Sequence, residues 1–167
     1  DSTIIVFTSD HGEMNGDHGL IYKSTFYRSS VNVPLIIRLP PGMRAGIEGR
    51  TCESLVETID IGPTLAELAG TSLTYQQFGK SQVSCLVNPN SEVRSDAISE
   101  IFGEVMLMDH EWKAALNREG QVYMLFHHRD DPEESVNLAG HSEVASVEVS
   151  LRLLILQRIL QAQIRLS

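Results

Sequence analysis

Residues 4–7 read Ile4-Ile5-Val6-Phe7, and the run breaks directly into Thr8-Ser9-Asp10-His11-Gly12. Apolar side chains in succession, mostly β-branched or aromatic, suit a strand over residues 3–8 buried on both faces, as in parallel sheets covered by helices. Ligands of such open sheets bind beyond the carboxyl ends of the strands, which is where Asp10 and His11 fall. Gly12, Gly16 and Gly19 let the backbone turn sharply, so a loop over 10–23 is expected to fold Lys23 back over the Asp-His pair. A cation, or an anion bridging these groups, would suit that arrangement.

Each residue also has a plainer reading. An Asp after a strand often caps a helix or closes an Asx-turn, and a lone Lys is usually a solvated charge. Gly16-Asp17-His18-Gly19 repeats the Asp-His-Gly triplet without a preceding strand and reads as a turn. The site reading gains from the combination of strand, Asp-His-Gly, Gly-rich loop, Lys23 and a second apolar run, Val33-Pro34-Leu35-Ile36-Ile37-Arg38.

The pattern divides the chain into an α/β portion over residues 1–72, a polar linking loop over 73–93 and an antiparallel α+β portion over 94–167. In the first, a helical turn is expected over 24–30, a strand over 33–38, a Pro/Gly loop over 40–49 and a helix over 61–69. Pro63 fits the first turn of that helix and Gly70 its stop. In the last portion, strands are expected over 97–102, 105–108, 112–116 and 121–126, with Asn117-Arg118-Glu119-Gly120 as a hairpin turn. Trp112 reads as a core anchor. Ser142 is expected to cap a helix reaching residue 166, with Val144, Val147, Leu151, Leu154, Ile155 and Ile159 on one face. His127 and His128 are adjacent in or after a strand, so their side chains diverge and a solvated loop is the better reading than a metal site.

With 42% hydrophobic residues the chain can bury one core. A net charge of −9 argues against nucleic acid or an acidic membrane surface as the main partner. It leaves room for an anionic ester held by a local cation and Lys23. The longest apolar run near the C-terminus covers residues 153–156, far short of the ~20 residues that span a bilayer. Two cysteines permit at most one disulfide, no spacing suits zinc, and buried free thiols are expected.

Taken together, Ile4 to Met14, Gly16-Asp17-His18-Gly19, Lys23-Ser24-Thr25-Phe26-Tyr27 and Val33 to Arg38 resemble the sulfatases of the alkaline phosphatase superfamily. Thr58-Ile59-Asp60-Ile61-Gly62-Pro63-Thr64-Leu65, Leu68-Ala69-Gly70, Asp131-Pro132-Glu133-Glu134 and Asn137-Leu138 continue the resemblance in family order. It implies the C-terminal part of a sulfatase: a partial, mostly parallel sheet with helices, then a small antiparallel sheet with a terminal helix. An exposed sheet edge is then expected, open to self-association.

The resemblance further implies hydrolysis of sulfate monoesters, of a small molecule or a sulfated glycan, with Asp10 as a metal ligand, His11 as a ligand or a donor to the sulfate, and Lys23 on a sulfate oxygen. The implied metal is divalent, Ca²⁺ first, with Mn²⁺ or another transition metal the alternative because His11 offers nitrogen. The implied nucleophile is a formylglycine made from a Cys or Ser in a Cys/Ser-x-Pro-x-Arg motif. Neither Cys52 nor Cys85 has that context, so the nucleophile and a first pair of Asp ligands are expected before Asp1, and the chain alone is expected to be inactive. Arg28 and Asn32 stand where the family commonly has an acid and an Arg. The alternative readings are a phosphonate monoester hydrolase or phosphodiesterase of the same superfamily, and a catalytically dead module.

Overall fold

A computed structural model describes residues 2–44, 46, 49–75 and 77–163. It contains two antiparallel sheets and four α-helices among the described residues. Strand β1 (Ile5–Thr8) pairs with β2 (Leu35–Arg38), Val6 opposite Ile37 and Phe7 opposite Ile36. Between them lie the long loop, a 3₁₀ turn at Asp17–Gly19 and a short helix α1 (Arg28–Val31).

The parallel sheet expected for this portion is not what the described residues form. Parallel neighbours need a long crossover, normally a helix, and the four residues of α1 are too short to supply one. The chain doubles back and pairs antiparallel. Nor is β1 buried on both faces: Ile5, Phe7 and Ile36 are all exposed, with Phe7 and Ile36 directly paired across the strands. The unbroken apolar run concealed an alternation that only the packing reveals.

Helix α2 (Ile61–Leu68) begins after a 3₁₀ turn at Thr58–Asp60 and ends where Gly70 adopts φ +70°. Thr71 donates to Ala66 O and Gly70 to Glu67 O, the paired bonds of a left-handed helix stop. The expected linking loop carries a five-residue helix, α3 (Val83–Val87), whose N–H groups start on Gln82 O.

The second sheet runs in the order β3 (Ala97–Ile101), β4 (Glu104–Met108), β5 (Lys113–Leu116), β6 (Val122–Phe126). Phe102 and Gly103, both at positive φ, form the two-residue turn between β3 and β4, a geometry matched to strand twist. Asn117 Oδ1 accepts from the N–H groups of Glu119 and Gln121, and Gly120 takes φ +72°, which makes the β5–β6 hairpin.

The long helix α4 (Ala145–Gln163) lays Leu151 and Ile155 onto Leu107, Ala114, Leu116 and Leu125, with Val144, Val147, Leu154, Ile159 and Trp112 around them. This is the face read from the sequence. Ser142 is not its cap, because its hydroxyl turns to Glu143 and the chain enters through a 3₁₀ turn at Ser142–Val144. The final residues of the expected helix lie outside the described residues. The opposite sheet face packs Met106, Ala115, Met124 and Phe126 against Phe26 from the site loop, so the second sheet is the floor on which that loop rests.

Charged side chains join the two portions. Arg94 is buried between Glu57 and Asp60, and Arg158 of α4 binds Glu57 at 2.6 Å and Asp96 at 2.8 Å. Asp60, fully buried, also accepts from the N–H groups of Glu57 and Lys80 and from Gln82 Nε2.

Candidate functional site

Thr8 ends β1, and the next two residues leave the sheet at its carboxyl end. The His11 N–H donates to Asp10 Oδ1 at 3.1 Å, and Ser9 Oγ donates to His11 O at 2.7 Å, which fixes the Asp-His turn. Gly12 is held by its N–H to Ser30 O at 2.7 Å. A Cβ there would lie 1.9 Å from Ser29 O, so only glycine permits the approach.

Beyond it the loop closes on itself, Met14 N–H to Tyr22 O and Gly16 N–H to Leu20 O. Met14 and Phe26 are buried and anchor the loop, and Ser30 Oγ donates to Lys23 O. Lys23 is thereby returned to the start of the loop, and its Nζ hydrogen-bonds His11 Nε2.

The imidazole is oriented from both sides. Its Nδ1 lies 2.7 Å from Gly12 O, an acceptor only, so Nδ1 carries the proton and Nε2 presents a lone pair. Nε2 faces Lys23 and lies 3.4 Å from Asp10 Oδ2. Asp10 is open to solvent; desolvation is the largest single influence and raises its carboxyl, but the backbone N–H groups of Asp10 and His11, with the charge of Lys23, together outweigh it and hold the group below its ordinary value. The result is an ionised carboxylate and an imidazole lone pair side by side with an ammonium against them. A backbone carbonyl on the distal ring nitrogen is the usual orienting partner of a metal-binding His.

Asp10 and His11 supply two donors, and among the described residues no group of three His, Cys, Asp or Glu side chains converges as a metal site. His127 pairs with Asp130 at 2.8 Å while His128 reaches Asp109 O at 2.8 Å, so the two rings diverge as expected. The site cluster opens onto a broad groove of about 1200 Å³ lined also by Arg28, Cys52, Glu57, Lys113, His128 and Glu134.

Sequence reading missed the support beneath the site. Glu134 takes the N–H of Arg28 on one oxygen at 2.8 Å and the ammonium of Lys113 on the other. His18 stacks on Tyr27 with ring centroids 3.9 Å apart, and Ser29 Oγ donates to Asp17, so the Asp17-His18 turn braces α1. The only signal for the first arrangement was an acid in a Pro-containing turn and a Lys in an otherwise apolar strand.

A family profile described as N-sulphoglucosamine sulphohydrolase, C-terminal, matches residues 16–161. The chain belongs to this sulfatase family. Arylsulfatase K of Xenopus laevis is 32% identical over 171 residues, covering 90% of this chain and 31% of that protein. A putative sulfatase from Bacteroides thetaiotaomicron VPI-5482 superposes with a TM-score of 0.83 at 26% identity, over 96% of this chain and 37% of that one. The phosphonate monoester hydrolase of Agrobacterium radiobacter gives 0.82 at 28% identity, over 95% of this chain and 35% of that one. This chain therefore spans about a third of the length of the relatives it matches.

Proposed function

We propose that this sulfatase-family chain supplies the Asp10, His11 and Lys23 side of a centre that hydrolyses sulfate monoesters. The observation that carries the reading is the meeting of Lys23 Nζ with His11 Nε2 beside the Asp10 carboxylate. A sulfate monoester needs its non-bridging oxygens neutralised as charge moves to the leaving oxygen, and fixed cationic groups do this without proton transfer.

Lys23 is the fixed cation in this chain. Its ammonium lies against the His11 lone pair, for which a divalent cation would compete, and Lys23 would then contact a sulfate oxygen. Asp10 and His11 fit such a cation as two of its ligands, one oxygen and one nitrogen. When bound, a divalent metal supplies charge stabilisation at the ester oxygens. Ca²⁺ is the first assignment and Mn²⁺ the second. The substrate class is a small sulfate ester or a sulfated glycan, and a formylglycine nucleophile belongs to the part of the protein outside this sequence.

The second reading is a phosphonate monoester hydrolase, supported by the nitrogen donor of His11 and by the similarity to the Agrobacterium radiobacter enzyme. The full-length protein, stripped of metal and reloaded with Ca²⁺ or Mn²⁺, is to be assayed on an aryl sulfate and an aryl phosphonate monoester. Faster sulfate turnover is expected. Faster phosphonate turnover overturns the assignment in favour of the second reading, and no turnover of either ester makes the protein a non-catalytic member.

A further inference from the structure

Cys52 and Cys85 stand 33 positions apart in the sequence, Cys52 in the irregular segment leading to Glu57 and Cys85 in α3. The fold brings both sulfurs to one backbone oxygen. Cys52 Sγ lies 3.7 Å from Ser91 O and Cys85 Sγ 3.5 Å from the same atom. The two segments are already tied beside them, since Arg50 Nη1 donates to Val87 O at 3.0 Å. Both cysteines are free thiols, one buried and the other half-buried, and both line the broad groove.

We propose that Cys52 and Cys85 are a disulfide-forming pair, closed by exchange with a small-molecule disulfide such as oxidised glutathione, which locks the Cys52 segment onto α3. The proposal is independent of the ester chemistry assigned above.

The order of steps follows from exposure. Burial raises the Cys85 thiol, and contact with Cys52 raises it further, so Cys85 is a poor first nucleophile. Cys52, better exposed, loses its proton to solvent and attacks one sulfur of the reagent. That S–S bond breaks, a Cys52 mixed disulfide forms, and one small thiol leaves. Cys85 then gives up its proton and attacks Cys52 Sγ; the protein S–S bond forms and the second small thiol departs. Two protein thiols are oxidised and one reagent disulfide is reduced to two thiols. The cross-link spans a long loop and restrains the unfolded chain, so the oxidised form should be the more stable.

The test is performed on the full-length protein, equilibrated in glutathione buffers from fully reduced to fully oxidised and mapped by mass spectrometry without reduction. A Cys52–Cys85 linked peptide is expected, lighter by two hydrogens and lost on treatment with dithiothreitol, with a melting midpoint about 5–10 °C above that of the reduced protein. In Cys85→Ser, Cys52 should accumulate as the glutathione mixed disulfide; in Cys52→Ser, Cys85 should stay unmodified. Absence of the linked peptide at every buffer ratio overturns the pairing, and equal glutathione uptake by the two variants overturns the order of attack.

Discussion

The backbone N–H of Arg28 donates to Glu134 Oε2 at 2.8 Å, so a turn 106 residues downstream holds the first N–H of α1, the helix that closes the site loop. The other oxygen of Glu134 pairs with Lys113, and both side chains are almost wholly buried. Burial pulls the Lys113 ammonium below its ordinary value, and Glu134 opposes this without cancelling it. A buried pair of this kind is poor as net stabilisation but severe when broken, because the surviving charge has no water to turn to.

Glu134→Ala is therefore expected to cost about 3–5 kcal/mol in urea unfolding, since it strands Lys113 and an α1 N–H together. The double variant Lys113→Met with Glu134→Gln keeps a hydrogen-bond acceptor and removes both charges. It should regain at least half of that loss. A cost below about 1 kcal/mol for the single variant would show that the pair is solvated in solution.

Gly12→Ala is expected to destabilise the protein by about 1–3 kcal/mol, because the new methyl meets the Ser29 carbonyl of α1 and must push apart the two ends of the site loop. Gly42, where a Cβ would meet nothing within 4 Å, is the control. Thermal melts of the two variants check this, and equal midpoints would contradict the tight approach of Gly12 to α1.

How far the sequence disclosed these arrangements depended on whether the determining contact was local. The β5–β6 hairpin, the Gly70 helix stop and the inward face of α4 follow from near-neighbour chemistry, and each was legible. So was the return of Lys23 toward His11, because Gly-rich turns leave a loop few other ways to close. The pairing direction of β1 was not legible, since an apolar run has no feature that distinguishes a parallel from an antiparallel neighbour. Glu57, Asp60, Arg94 and Arg158 were equally silent: charges far apart in sequence become partners only when tertiary packing buries them together.

Asp131 gives a pH prediction. The N–H groups of Val136 and Ser135 hold its carboxyl below the ordinary 3.8, more than a little desolvation raises it; the Val136 bond measures 2.9 Å. Between the folded value and 3.8 the unfolded chain binds more protons, so stability rises with pH across that window. The Asp131 contribution is fully present above it and is lost as pH falls through the folded value. Acid titrations of stability should show a shallower slope below pH 3.8 for Asp131→Asn than for the parent. Parallel curves would remove Asp131 from the account of acid sensitivity.

Lys23→Ala tests the ester chemistry most directly. Lys23 is exposed and among the described residues its side chain hydrogen-bonds His11 alone, so its removal leaves the loop anchors Met14, Phe26 and Ser30 in place and should shift the melting midpoint little. Loss of one fixed charge aimed at a developing anion typically costs about 10²–10³-fold in kcat, and that loss is expected for aryl sulfate hydrolysis by the full-length protein. Lys23→Arg should recover only part of it, because a planar guanidinium cannot place its charge at the point where the compact ammonium sits. Asp10→Asn should instead raise the metal concentration needed for half-maximal activity, since it removes the charge of the proposed metal ligand while leaving Lys23 intact. If Lys23→Ala keeps its kcat and alters only metal dependence, Lys23 serves to hold His11 rather than to contact the ester.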